Sequence, residues 1–371
     1  MEQKIIRASE NYRELDDYIK ENDADTILLV CDVALPYLKI NSYFEDLEDR
    51  LGVKVVKFND FKPNPLYESV VEGVKVFKEN SCDLIMAVGG GSAIDVAKCI
   101  KLYSNMNPEE NYLKQEIVPN DVKLLAVPTT AGTGSEATRY AAIYYKGAKQ
   151  SVTDYSAIPT TVVFDASTLK TLPEYQKKAT MMDALCHCIE SYWSVNSTEE
   201  SHEYSKEGIK LILENMDKYL ENDDDACVNM LHAANLGGKA INITQTTAGH
   251  AMCYKLTSLY GISHGHAAAL CVSRLWPYMV EHTEKCIDPR GEEYLKGIFS
   301  CIAEAMGCES VAEAIACLQG ILKKLELSGP EVNDEKEYEI LKTSVNPVRL
   351  KNHPVQLDEE TIDNIYHQIL N

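Results

Sequence analysis

A carboxylate and an imidazole four residues apart, Asp183 and His187, sit in a run with helical periodicity. Residues at i and i+4 share one face of a helix, so both would point the same way, an arrangement suited to two metal ligands. Glu190 falls on the same side and could support a liganding histidine from behind. Such a pair alone is a common surface feature, and its companion segment is what gives it weight. Three of the chain's nine histidines, His250, His264 and His266, lie close together among apolar and small residues. Any one of them alone reads as a satisfied core histidine. One carboxylate with three imidazoles is a donor set suited to Fe(II) or Zn(II), and with no thiolate bound it leaves a position for a substrate oxygen.

A different chemistry is suggested upstream. Gly89-Gly90-Gly91-Ser92-Ala93-Ile94-Asp95 follows directly on the apolar run Leu84–Val88 and opens a helical stretch through Lys98. Three glycines let a ligand approach the backbone, and the free N–H groups and positive end of the following helix suit a pyrophosphate. Ser92 and Asp95 have capping-box spacing. Ile94 occupies the place of the third glycine of the GxGxxG fingerprint, so this is not the standard dinucleotide signature, and a plain strand-to-helix turn is the bland reading. After the run Lys123–Val127 comes Pro128-Thr129-Thr130-Ala131-Gly132-Thr133-Gly134-Ser135-Glu136. Small residues and hydroxyls there crowd the carboxyl end of a neighbouring strand, where open α/β sheets bind ligands. Asp32 closes the run Thr26–Cys31; a carboxylate at that point accepts from ribose hydroxyls and repels a 2′-phosphate, which favours NAD over NADP.

These groups must be positioned by the elements around them. Short apolar or β-branched runs, Thr26–Cys31, Val53–Phe58, Leu84–Val88, Lys123–Val127 and Thr160–Phe164, alternate with helix-length segments such as Tyr67–Asn80. Nearly continuous apolar strands in that alternation predict a parallel sheet covered on both faces. After Asp165 the strand signal stops, and long helical periods follow, as in Glu200–Leu220, Asn229–Asn242 and Ser310–Leu325. Thr171 and Glu174, at capping-box spacing around Pro173, predict a helix start. Glu221–Asp225 reads as a solvated turn, and Ser344–Val355 as a loop. The expected division is therefore an α/β domain over 1–165 and an all-helical domain over 166–371, with a ligand in the crevice between them.

Composition narrows the partners. The 371 residues carry 36 Lys plus Arg against 57 Asp plus Glu, a formal charge of −21. Such a surface repels phosphate backbones and anionic lipid, which argues against nucleic-acid or membrane-surface partners. A small anionic substrate is compatible only if cations are concentrated locally. No apolar run approaches the ~20 residues needed to cross a bilayer. The twelve cysteines show no CxxC pair, and with no signal-peptide stretch at the start they are expected to be reduced structural thiols in a cytoplasm.

The stretches GGGSAIDVAK, VPTTAGTGSEAT, MMDALCHCIE and GHAMCYKLTSLYGISHGHA, in this order and spacing, closely resemble the iron-containing (group III) alcohol dehydrogenase family over essentially the whole chain. The resemblance implies the architecture shared with dehydroquinate synthase: an N-terminal dinucleotide-binding α/β domain with a parallel sheet and an all-α C-terminal domain. It implies that Asp183, His187, His250 and His264 hold Fe(II), or Zn(II) in its place. It also implies contacts to NAD(H), in preference to NADP(H), from Asp32, Asn64, Gly90, Gly91, Ser92, Asp95, Thr129, Thr130, Thr133 and Lys149. A homodimer is the family expectation.

One departure matters. The family often carries a second histidine four residues after the one matching His250, to relay protons; here that position is Tyr254. A phenol passes a hydrogen bond but is a poorer relay at neutral pH, and His266 is the other candidate for that role. The segments NITQTTAGHAMCYKLTSLYGISHGHA and SYWSVNSTEES look most like the phosphonoacetaldehyde reductase branch. A phosphonate would need local cations, for which Arg139 and Lys255, with Arg274 further along, are the candidates. The implied activity is hydride transfer between NAD(H) and a small aldehyde or primary alcohol, with phosphonoacetaldehyde as one substrate. The rival readings are a dehydroquinate synthase-like lyase using NAD transiently, separable by net NADH turnover, and a non-catalytic NAD or metal sensor.

Overall fold

The computed structural model describes residues 3–370. The chain forms two compact units. The first runs to Leu172 and includes Asn222–Leu231; the second comprises Pro173–Glu221 and the chain from His232 onward.

The first unit is built on six parallel strands, β1 (Lys4–Arg7), β2 (Thr26–Cys31), β3 (Lys54–Phe58), β4 (Leu84–Gly89), β5 (Lys123–Pro128) and β8 (Thr161–Phe164), in the order β1-β8-β5-β4-β2-β3. Alternate residues of the central strands face opposite cores. Leu28, Val30, Ile85, Ala87, Leu124 and Ala126 pack with the helices Tyr67–Glu79 and Gly91–Tyr103. Ile27, Leu29, Met86, Val88, Leu125 and Val127 pack on the other side with Leu15 and Ile19 of the helix Arg13–Glu21. Burial on both faces explains why these strands read as unbroken apolar runs.

Three elements were not legible from the runs. β1 offers only two apolar residues between charges and exists through pairing with β8. β6 (Tyr140–Tyr145) and β7 (Ala148–Thr153) form an antiparallel hairpin whose turn, Lys146-Gly147, has φ of 51° and 77°. Positive φ at both turn residues matches the twist of a two-residue hairpin.

The boundary between the units also differs from the expected 165/166. Asp165 caps the helix Ala166–Lys170 by accepting the Ser167 N–H at 2.8 Å, and Lys170 pairs with Asp224 at 2.6 Å. The acidic stretch is only partly a turn. Asp223 accepts the Ala226 N–H at 2.9 Å, and the helix Asp224–Thr244 begins earlier than the apolar period suggested, because carboxylates are favourable at a helix N-terminus.

In the second unit every named element among the described residues is a helix. The helix Glu174–Trp193 packs against Glu199–Leu220 and His264–Glu281, and the last of these packs against Ala248–Tyr260. The expected Thr171–Glu174 capping box does not form. Pro173, with φ −53° and ψ 142°, is the N-cap, while Thr171 ends the preceding helix. Within the expected loop 344–355 lies a short helix, Pro347–Leu350, capped by Asn346 accepting the Val348 N–H at 2.9 Å.

Candidate functional site

The helix Glu174–Trp193 presents Asp183, His187 and Glu190 on one buried face, at 3, 5 and 0 % exposure. His250, 1 % exposed, comes to meet them from the helix Ala248–Tyr260. Its Nε2 lies 3.3 Å from Asp183 Oδ1, and its ring stacks on that of His187 with centroids 4.5 Å apart. One ligand atom each from Asp183, His187 and His250 lies within 4.8 Å of the others. One carboxylate oxygen and two imidazole nitrogens in a dry enclosure suit a divalent ion of the Fe(II) or Zn(II) type. His264 begins the helix His264–Glu281 and sits half-buried at the edge, its ring 5.3 Å from that of His250. Its Nδ1 lies 3.4 Å from Cys253 Sγ.

Glu190 holds His250 from behind. One carboxylate oxygen bonds His250 Nδ1, and the other accepts from the Thr247 hydroxyl at 2.5 Å and the Thr247 N–H at 3.1 Å. With Nδ1–H donated to Glu190, Nε2 is the nitrogen that faces the cluster, and once it gives up the proton it shares with Asp183 its lone pair is the one a metal needs. Burial would raise the Asp183 and Glu190 carboxyls, yet the surrounding imidazoles hold both below the ordinary carboxylate range. Burial would likewise lower His250, but the two carboxylates overcome it and raise the imidazole above its ordinary value. A cluster that favours ionised acids and a cation between them is electrostatically prepared for a positive ion.

Tyr254 lies on the same flank of its helix as His250, and its ring is 5.2 Å from that of His264. Its hydroxyl accepts from Arg349 Nη1 at 2.8 Å. Burial raises this phenol well above its ordinary value, with Arg349 opposing. His266 is differently placed. Its Nε2 meets the Ser328 carbonyl at 3.0 Å, so that nitrogen carries the proton, and Nδ1 meets the Tyr175 hydroxyl at 3.1 Å. Both ring nitrogens are thus engaged in fixing the start of the helix, which does not suit a proton relay.

The candidate cofactor residues lie in the first unit. At the carboxyl ends of the adjacent strands β5, β4 and β2 sit the hydroxyl loop, the glycine turn and Asp32. The loops approach so closely that a side chain is excluded at Gly89 and Gly91 and would have to displace Thr130 at Gly90. A Cβ on Gly91 would meet Thr133 Oγ1 at 2.9 Å, one on Gly90 would meet Thr130 at 3.3 Å, and one on Gly89 would meet Ala93 at 2.5 Å and Asp32 Oδ2 at 3.0 Å. Gly90 is the N-cap of the helix Gly91–Tyr103, so its N-terminal N–H groups open at this turn beside half-buried Ser92. The Ser92–Asp95 capping box does not form. Asp95 instead accepts from Ser135 Oγ at 2.5 Å and the Ala142 N–H at 2.9 Å. Asn64, between Pro63 and Pro65, adopts φ 60°, and the Pro65 carbonyl accepts the Tyr144 N–H at 2.8 Å. Thr129 is buried, and Lys149 is exposed on β7.

Sequence reasoning missed two residues. Lys98, fully buried, donates to the carbonyls of Ser135, Thr138 and Tyr140 at 2.5, 2.8 and 2.8 Å, and burial lowers its ammonium to about 8. It clamps the hydroxyl loop from within the GGGSAIDVAK motif, where a buried lysine could have been suspected. Arg349 lies in a stretch with no signal at all. The two expected anion binders are placed otherwise. The Arg139 guanidinium lies 4.8 Å from both the Tyr140 and Tyr155 ring centroids and donates to both phenols at 2.6 Å. Lys255, five residues beyond His250, is rotated roughly 140° from it around the helix axis, away from the cluster.

Comparison with known proteins gives a consistent result. Residues 2–166 match the family described as iron-containing alcohol dehydrogenase, and residues 177–370 match its C-terminal family. Alcohol dehydrogenase 4 of Saccharomyces cerevisiae is 32% identical over 73% of this chain and 71% of its own length. A phosphonoacetaldehyde reductase of Streptomyces viridochromogenes is 28% identical over 80% of this chain and 78% of its own. Among solved structures, a sulfoacetaldehyde reductase of Bifidobacterium kashiwanohense in complex with NAD+ superposes with a TM-score of 0.81, at 24% identity, covering 99% of this chain and 96% of that one.

Proposed function

Because the chain belongs to the iron-containing alcohol dehydrogenase family and is an oxidoreductase acting on alcohols, we propose that it reversibly reduces a small aldehyde with NADH, using a divalent ion, Fe(II) or Zn(II), held by Asp183, His187, His250 and His264. The observation that carries this reading is the convergence of Asp183, His187 and His250, with Glu190 fixing the His250 tautomer. An ion bound there supplies Lewis acidity to the substrate oxygen. The dehydrogenase reading is favoured over a synthase or a sensor by relatives that are alcohol dehydrogenases and aldehyde reductases.

The chain's own residues have distinct tasks. The helix N-terminus at Gly90–Ser92 binds the cofactor pyrophosphate, and Thr129, Thr130 and Thr133 bond its polar groups. Asp32 accepts from the adenosine ribose and disfavours a 2′-phosphate; Asn64 and Lys149 are proposed as further contacts. Asp95 acts on the cofactor indirectly, by holding Ser135 and the start of β6. Tyr254 keeps its proton across the neutral range and so serves as a hydrogen-bond donor at the substrate oxygen rather than as a base. His266 positions His264.

Phosphonoacetaldehyde remains the candidate substrate, on the sequence resemblance and the Streptomyces relative. No helix among the described residues is long and apolar enough to cross a membrane, and all twelve cysteines are free thiols. A cytoplasmic homodimer is proposed on family grounds, to be checked by sedimentation. The central test is NADH oxidation with a panel of aldehydes, together with metal content, in the wild type and His264→Ala. Activity should require metal, and the variant should lose activity with weakened metal retention. Survival of both metal and activity in the variant would refute the site.

A further inference from the structure

We propose that Arg349 is the specificity-determining residue of this site, recognising a tetrahedral oxyanion, phosphonate or sulfonate, attached to the carbon beside the aldehyde carbonyl. The proposal rests on the dehydrogenase reading above and names the substrate class of that same site.

Arg349 stands one phenol away from the metal cluster. Its Nη1 donates to Tyr254 Oη at 2.8 Å, its guanidinium carbon is 4.8 Å from the Tyr254 ring centroid, and that ring lies 5.2 Å from the His264 ring. Among the described residues no carboxylate forms an ion pair with it, although the chain carries 57 acidic side chains. A guanidinium offers five N–H donors, and the phenol accepts one of them. In a protein of net charge −21, a half-buried arginine without an acid partner beside a metal cluster is a cation held for something else.

The position is held, not incidental. The short helix Pro347–Leu350 that bears Arg349 packs on the helix Ala248–Tyr260. Just beyond it, the Asn352 side chain donates to Gln245 Oε1 at 3.2 Å and accepts from Asn196 Nδ2 at 3.1 Å, and its carbonyl accepts the Val195 N–H at 3.1 Å. His353 is wholly buried next to Trp193. The strap is therefore pinned beside Trp193, whose Nε1–H donates to Thr247 at 3.0 Å, and the Thr247 hydroxyl in turn donates to Glu190, which orients His250. Packing of the Tyr254 ring against the guanidinium leaves the remaining N–H fork for a bidentate acceptor, which a tetrahedral oxyanion matches better than a hydroxyl or an alkyl group. A two-carbon aldehyde with its oxygen at the cluster would carry such a group toward Arg349.

The test compares wild type, Arg349→Gln and Arg349→Lys with phosphonoacetaldehyde, sulfoacetaldehyde and butanal. Binding of 2-hydroxyethylphosphonate and 2-hydroxyethanesulfonate is measured by calorimetry on the metal-loaded protein. Wild type should favour an anionic aldehyde over butanal, and Arg349→Gln should lower that ratio of kcat/KM at least about tenfold, through KM. Arg349→Lys should recover part of the ratio, and the product acid should bind Arg349→Gln at least about tenfold more weakly. The preferred arm separates phosphonate from sulfonate. An unchanged ratio, an equal loss on all three aldehydes, or wild-type preference for butanal overturns the proposal. If wild type reduces no aldehyde, the dehydrogenase reading fails, and the calorimetric comparison alone decides whether Arg349 binds the anion.

Discussion

Replacing Glu190 by glutamine isolates the role of the buried carboxylate behind His250. The exchange conserves shape but removes one acceptor. In the native arrangement one oxygen accepts His250 Nδ1–H and the other accepts both the hydroxyl and the N–H of Thr247, at 2.5 and 3.1 Å. A glutamine amide can accept on one side only. If its NH2 faces His250, the ring must accept at Nδ1, which moves its proton to Nε2 and removes the lone pair aimed at the cluster. If its NH2 faces Thr247, the hydroxyl must turn from donating to accepting and the Thr247 N–H is left without an acceptor. Either choice costs one buried hydrogen bond, about 1–3 kcal/mol. At ~1.4 kcal/mol per tenfold, metal affinity should fall about ten- to hundredfold, the usual range for groups that orient a liganding histidine. The assay is competition for Zn(II) against a chromophoric chelator, with near-ultraviolet circular dichroism to establish that the variant is folded. A folded Glu190→Gln protein that binds Zn(II) within twofold of wild type would refute the tautomer argument.

Lys98→Met should remove the nearby charge that favours ionised Asp95 and leave three loop carbonyls without their shared donor. A loss of about 3–5 kcal/mol, or roughly 5 °C in melting temperature, with weakened NADH binding, is expected in calorimetry and fluorescence titration. Burial lowers the His353 imidazole to about 4, so the neutral form is favoured in the folded protein. Its stabilisation is intact above the ordinary imidazole value of ~6.5 and is lost as pH falls through about 4, a maximum of ~3 kcal/mol. Denaturant unfolding of His353→Leu should therefore show a flatter stability profile between those values; an unchanged profile would assign the acid sensitivity elsewhere. Asp32→Ser should raise the NADPH-to-NADH ratio of kcat/KM about tenfold by removing a like charge, and an unaltered ratio would show that Asp32 does not face the ribose.

How far the site could be read in advance depended on sequence separation. Asp183, His187 and Glu190 share a helix, so their common face follows from the period alone. The sheet was similarly open to inspection. The five apolar runs became β2, β3, β4, β5 and β8 with boundaries shifted by a residue at most, because burial on both faces imprints a continuous apolar pattern. The edge strand β1 and the β6–β7 hairpin carry no such imprint; each exists through its partner strand. The capping box expected at Ser92 and Asp95 failed for a related reason. Ser92 and Asp95 have the spacing, but Asp95 found better donors on Ser135 and Ala142, which lie some forty-odd positions away and were brought close by packing of β6 against its helix.

The amino-acid order by itself determined the strand–helix alternation, the glycine and hydroxyl loops at strand ends, and the shared helix face of Asp183, His187 and Glu190, since each is a local pattern of one element. Only the tertiary structure decided which protons and charges those groups keep. It tied both nitrogens of His266, drew Arg139 between two phenols, turned Lys255 away, and brought Arg349 across ninety-five positions onto Tyr254. Such pairings are set by which surfaces pack together, and no local period in the chain encodes them.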